Sequence, residues 1–224
     1  MRNIEKWSDI PADSNSEAFK ELREQLFFYG EEAVKNAAQL YINIDVEADG
    51  VPGYGSLLSV GACSPYGDNF YTELKPSSEQ FVPSQREFCE AHGLKRNRLK
   101  REGIDSSIAL QSMIDWTNDL KDTHGKDPVF TAFNAWFDYG FIALACAQDE
   151  AQNPYGIAPF DLKSYVPGVT GSLDWKATAK SKLPQIIQPE GDFTHHALED
   201  AQYQQELHYG LVGLQLFAQS GGMK

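Results

Sequence analysis

Leu40-Tyr41-Ile42-Asn43-Ile44-Asp45-Val46-Glu47 decides the fold. Leucine, isoleucine and valine fill every even position and polar or aromatic side chains every odd one, and a β-strand turns successive side chains to opposite faces. The segment predicts a strand with one apolar face for a core and one face that carries Asp45 and Glu47 side by side. Gly50, Pro52 and Gly53 end it, which opposes a continued row through Asp49.

Outward from that strand, runs at residues 56–63 and 69–74, joined through Pro65 and Gly67, predict a three-stranded meander. Upstream, helix formers over 16–38 predict a helix with Ser16 as its cap. Downstream, residues 84–121 are helical in period and broken at Gly93 and Gly103, with an amphipathic stretch around Ile108, Met113, Ile114 and Trp116. A short strand over 129–133, a helix over 137–147, a strand near 157–160 and a long helix over 194–218 complete the expected order. Strands first, then alternating helices and strands, imply an α/β layer fold with a mixed sheet. We expect an N-terminal helical extension over 1–39 and one globular domain over 40–224.

Composition narrows the function. The chain has 224 residues, 42% of them hydrophobic, enough for a substantial core. No run reaches the roughly 20 apolar residues that cross a bilayer. Met1 to Lys6 mixes both charges and lacks the layout of an export signal. Cys63, Cys89 and Cys146 are odd in number and widely spaced, which suits a reducing cytoplasm and neither a disulfide framework nor a zinc cluster. A net charge of -13 opposes a protein that coats long nucleic acids, because such binding draws on Lys and Arg. It opposes far less an enzyme that holds a few nucleotides where bound metals supply the positive charge. Lys95, Arg96, Arg98, Lys100 and Arg101 are a local basic exception, but at helical spacing they spread round the axis, as in a solvated segment.

Three further segments carry chemistry. Asp138 heads a helical stripe with Phe141, Ile142 and Ala145, as a cation ligand or as an acid satisfying a helix N-terminus. Asp200 shares a narrow arc with Tyr203, Leu207, Leu211 and Leu214. Burying an ionised carboxylate is costly unless it is paired or holds a metal, so this position asks for a cation, an Arg or Lys side chain serving as well as an ion. His196 lies on the Asp200 face of that helix, while His195 sits at its entrance, with Thr194 as the candidate cap. An imidazole there is suited to proton abstraction near neutrality, or simply to capping. Four carboxylates and an imidazole from three parts of the chain are what two divalent cations and a water nucleophile require.

Asp45-Val46-Glu47, the segment from Phe133-Asn134-Ala135 through Phe137-Asp138, and His195 through Asp200-Ala201 resemble, in order and spacing, the three motifs of the DEDDh group of 3′–5′ exonucleases. The resemblance covers roughly residues 40–210 and implies an RNase H-like fold, a central five-stranded mixed sheet flanked by helices. It implies two divalent cations, Mg²⁺ or Mn²⁺, with Asp45 and Asp200 as principal ligands, Glu47 assisting and Asp138 acting through water. The family histidine stands five residues before the last aspartate, which assigns the general base to His195. Asn134 and Ala48 match positions that touch substrate, whereas Phe133 replaces a family histidine, and Ala48 and Asp49 stand where Thr and Gly are usual. The implied substrate is single-stranded nucleic acid or a short oligonucleotide, shortened from its 3′ end to nucleoside 5′-monophosphates. The competing reading is a non-catalytic RNase H-like module that binds nucleic acid or protein. RNA versus DNA and oligomeric state stay open.

Overall fold

The computed structural model describes residues 10, 11 and 13–222, so the reading of Met1 to Lys6 lies outside the described residues. By contact, the chain groups into two compact units.

The larger unit comprises Ala38–Asp161 and Asp192–Gln204. Its five strands, β1 (Leu40–Ala48), β2 (Leu57–Cys63), β3 (Asn69–Glu73), β4 (Pro128–Ala132) and β5 (Phe160–Asp161), form one sheet in the order β3-β2-β1-β4-β5. β1 pairs antiparallel with β2 and parallel with β4, so the alternating strand becomes the centre of a mixed sheet, as expected. Leu40, Ile42, Ile44 and Val46 bury together with Phe130 of β4, with Leu110, Met113 and Ile114 of α4 (Ser106–His124), and with Phe141 and Ile142 of α5 (Ala135–Gln148). The opposite face carries Asn43, Asp45 and Glu47, whose partners on β2 are Cys63, Gly61 and Ser59. A register shift between Glu47 and Ala48 breaks the ladder there, a bulge of the kind that re-aims a side chain.

Two short helices, α2 (Pro83–Ala91) and α3 (Arg96–Glu102), follow β3. Gly93 (φ 92°) lies between them in the left-handed region that an L side chain resists. The basic run falls on α3 and is matched by acids: Arg98 pairs with Glu73, Lys100 with Glu79 and Arg101 with Glu102. Arg96 is buried and its guanidinium binds the fully buried carboxylate of Asp49, which also accepts the Ser56 amide at 2.7 Å. Asp49 thus closes the turn after β1.

The smaller unit holds the chain up to Ala37, Leu162–Gly191 and the chain from Gln205 onward. It contains α1 (Glu17–Lys35), capped as expected by Ser16, whose hydroxyl accepts the Phe19 amide at 3.3 Å. It also contains α6 (Leu162–Thr170), three 3-10 turns between Trp175 and Ile187, and most of α7 (Ala197–Phe217). Gly30 and Gly213 let α1 and α7 meet backbone to backbone, since a Cβ at either would lie 1.9 Å from a carbonyl oxygen, of Tyr209 and Leu26 respectively. Among the described residues no helix is long and apolar enough to cross a membrane.

His208 on α7 is buried, and desolvation pushes its pKa down from 6.5 to about 3. Unfolded, the imidazole takes up a proton below about 6.5, whereas folded it stays neutral to about 3, so its contribution is complete above pH 6.5 and shrinks as pH falls toward 3. The slope approaches 1.4 kcal/mol per pH unit at its steepest. We expect His208→Leu to flatten the acid limb of a melting-temperature profile between pH 6 and 4. An unchanged slope would contradict this account.

Candidate active site

β1 ends beneath the first two turns of α7, and both elements meet the N-terminus of α5. Asp45 (8% exposed) and Asp138 (5%) are nearly buried, Asp200 is fully buried, and Glu47 and His195 are half-buried. One ligand atom each from Glu47, His195 and Asp200 lie within 4.8 Å of one another. Asp45 and Asp138 stand beside that trio without belonging to it: Asp138 Oδ1 accepts the Val46 amide at 3.0 Å, between Asp45 and Glu47, and Asp45 Oδ1 accepts from Gln204. Position 138 is in the first turn of α5, where helix and site are both served by an acid.

The approach to α7 differs from expectation. Residues 194–196 are not helical, and α7 begins at Ala197. The cause is Asp200, whose two carboxylate oxygens accept the amides of Thr194 (2.9 Å) and His195 (3.0 Å). Asp200 thus folds back on the backbone just before the helix, the Thr194 hydroxyl accepts the His196 amide at 3.4 Å, and His195 is held at φ 60°, a left-handed backbone uncommon for a non-glycine residue. The His195 ring is walled edge-on by Phe88 (4.5 Å between centroids), His92 (4.7 Å) and Phe193 (5.4 Å). The His196 ring instead lies flat on Tyr71 (4.4 Å, 21°).

Asn134 precedes α5 in the same left-handed region (φ 71°). Its amide and that of Ala135 both donate to Asp161 Oδ1, at 2.8 and 3.2 Å, so Asp161 at the end of β5 caps α5 in place of the Asn134 side chain. Ala48 is buried at the end of β1, and its carbonyl accepts from Cys89 Sγ at 3.4 Å.

Two contributors escape a motif reading. Gln204, fully buried, donates to Asp45 and accepts the Phe133 amide. Its position one turn after Asp200, on the same apolar stripe, was the available signal. Asp161 had none, because a two-residue strand leaves no periodicity.

The donors are hard oxygens plus one imidazole, drawn from β1, α5 and the entrance to α7. Groups within 4.8 Å of one another match the spacing of ligands about a small divalent cation, so the residues fit one.

No profile of a known protein family matches the chain. It is 36% identical over 172 residues to the 3′-5′ DNA exonuclease Cap18 of Escherichia coli, covering 75% of this chain and 89% of that protein. In fold it is similar to the nuclease domain of 3′hExo, a DEDDh family member solved bound to rAMP, with a TM-score of 0.59, 13% identity and coverage of 84% and 96%. A 3′-exonuclease structure described for 3′-end recognition of a histone mRNA stem-loop gives 0.60, 13%, 83% and 84%. These two likenesses show the five-stranded mixed sheet of the RNase H-like exonucleases; identity with the bacterial enzyme shows the relationship itself. The chain is a nuclease-class hydrolase and belongs to the 3′–5′ exonuclease family of that E. coli relative.

Proposed function

We propose that the enzyme shortens single-stranded nucleic acid from its 3′ end, with DNA as the preferred substrate, and releases nucleoside 5′-monophosphates. One observation carries this reading: Glu47, His195 and Asp200 converge within 4.8 Å although 148 positions separate Glu47 from His195. The activity in the name of the E. coli relative favours DNA. The three cysteines are all free and buried, in keeping with a reducing compartment such as the cytoplasm.

Asp45, Glu47, Asp138 and Asp200 would hold two divalent cations, Mg²⁺ or Mn²⁺, which when bound neutralise phosphate charge and make a water molecule easier to deprotonate. His195, set by its constrained backbone and ring wall, accepts the proton of that water. The water oxygen attacks the terminal phosphorus, the bond to the 3′-oxygen of the preceding nucleotide breaks, and that oxygen leaves with a proton from solvent. Asn134 and Ala48, at the ends of the elements that carry the acids, would meet the terminal nucleotide.

Incubation of 5′-labelled single-stranded DNA and RNA with Mg²⁺ or Mn²⁺ tests the proposal. We expect a ladder receding from the 3′ end, abolished by EDTA and slowed about 10²- to 10⁴-fold in His195→Ala, the range for loss of a general base. Cuts at discrete internal positions, or a ladder indifferent to the chelator, would remove it.

A further inference from the structure

Gln204 reaches a site acid through a neutral side-chain amide, and its environment leaves it no freedom. It is 0% exposed on the buried stripe of α7 between Asp200 and His208, where an amide with unsatisfied atoms would be costly. Both ends are used. The Phe133 amide can only donate, so the Gln204 oxygen must face it, at 2.7 Å, and the Gln204 nitrogen must therefore face Asp45 Oδ1. One side chain thus ties the centre of β1 to the backbone immediately before Asn134 and α5.

We propose that Gln204 is a positioning residue that fixes the Asp45 carboxylate for cation binding while leaving its charge intact. The inference rests on the proposed metal-dependent reading. The contrast with Asp49 gives its physical content. Asp49, four residues along, receives the Arg96 guanidinium, which cancels its charge and makes it a structural anchor. The Gln204 amide orients an acid and adds no positive charge to compete with an ion. Groups that orient metal ligands are commonly worth 10- to 100-fold in metal affinity.

The experiment is Mn²⁺ calorimetry on the full chain, with nuclease rates as a function of Mn²⁺, for the parent, Gln204→Met, Gln204→Asn and the core control Ile114→Val on α4. Methionine keeps the length and removes both bonds; asparagine keeps an amide but is too short to reach both partners. We expect Gln204→Met to bind Mn²⁺ at least 10-fold more weakly and to regain most of its rate at high Mn²⁺, Gln204→Asn to move in the same direction, and Ile114→Val to bind as the parent does. Should Gln204→Met fail to fold, Gln204→Asn decides. Folded Gln204 variants that bind within twofold of the parent would overturn the positioning role and leave the proposed function standing. A parent that takes up no Mn²⁺ would overturn both.

Discussion

Gly61→Ala is expected to lower nuclease activity at least 100-fold and to depress the melting temperature, although residue 61 carries no chemistry. Gly61 sits opposite Asp45 on β2, and the start of α7 rests directly on it: a Cβ there would lie 2.1 Å from the Leu198 nitrogen and 2.2 Å from the Ala197 carbonyl carbon. Both are backbone atoms, so no rotamer change relieves the clash and the helix start must move by an ångström or more. That segment carries Asp200 and, through the Asp200 carboxylate, His195, and both must stay within 4.8 Å of Glu47. Displacement of reacting groups by about 1 Å can cost 100-fold in rate. Overpacking a close contact typically costs about 1–3 kcal/mol, which the melt would register. Gly67→Ala is the control, a left-handed glycine (φ 96°) with nothing within 4 Å of the added methyl. It should lose some stability through backbone strain and keep its rate. Parent-like activity in Gly61→Ala would mean that the α7 start is not held against the sheet.

The same contact shows where the chain was legible. β1 reads correctly because its alternation reports two environments at once, a core on one face and acids on the other. The meander, the breaks at Gly93 and Gly103 and the Ser16 cap follow from local chemistry of the same kind. The start of α7 reads three residues early because propensity at Thr194 ignores what Asp200 does from the next turn: its carboxylate holds the Thr194 and His195 amides, and His195 takes a left-handed backbone that a right-handed helix cannot contain. β5 was expected at 157–160 and lies at Phe160–Asp161, since two residues paired to β4 have no pattern to read. The stretch Leu162–Ile187, with α6 and its 3-10 turns, escaped altogether because turns this short repeat no apolar period. In the site, the five motif residues stood out as chemistry, whereas Gln204, Asp161 and Phe88 act through contacts made only once the sheet is assembled. The Arg96–Asp49 pair is the reverse case, two charged residues whose burial removes them from the surface that composition alone would assign them.

Asp200→Asn should be the most damaging single-atom exchange in the chain, with a rate loss of about 1,000-fold or more and a loss of stability that Glu47→Gln does not share. Asp200 is fully buried and accepts one backbone amide on each oxygen. Asparagine replaces one of those oxygens with an NH₂ group, which sets a donor against the Thr194 or His195 amide, whichever way the side chain turns. A buried donor left without an acceptor costs about 1–3 kcal/mol, and the φ 60° backbone of His195 loses the bond that helps enforce it. The exchange also removes the negative charge proposed to hold a cation, and preorganised electrostatic groups alone are commonly worth about 10²- to 10³-fold in rate. The two losses compound because the residue that would bind the ion also places the general base. Glu47 offers the comparison: it is half-buried, and in the same Glu47, His195 and Asp200 trio. Glu47→Gln should cut activity strongly while its melting temperature stays near that of the parent. Thermal melts and single-turnover rates on a 5′-labelled oligonucleotide separate the two. An Asp200→Asn protein that keeps a tenth of the parental rate would refute the assignment of Asp200 as both ligand and anchor of the His195 backbone.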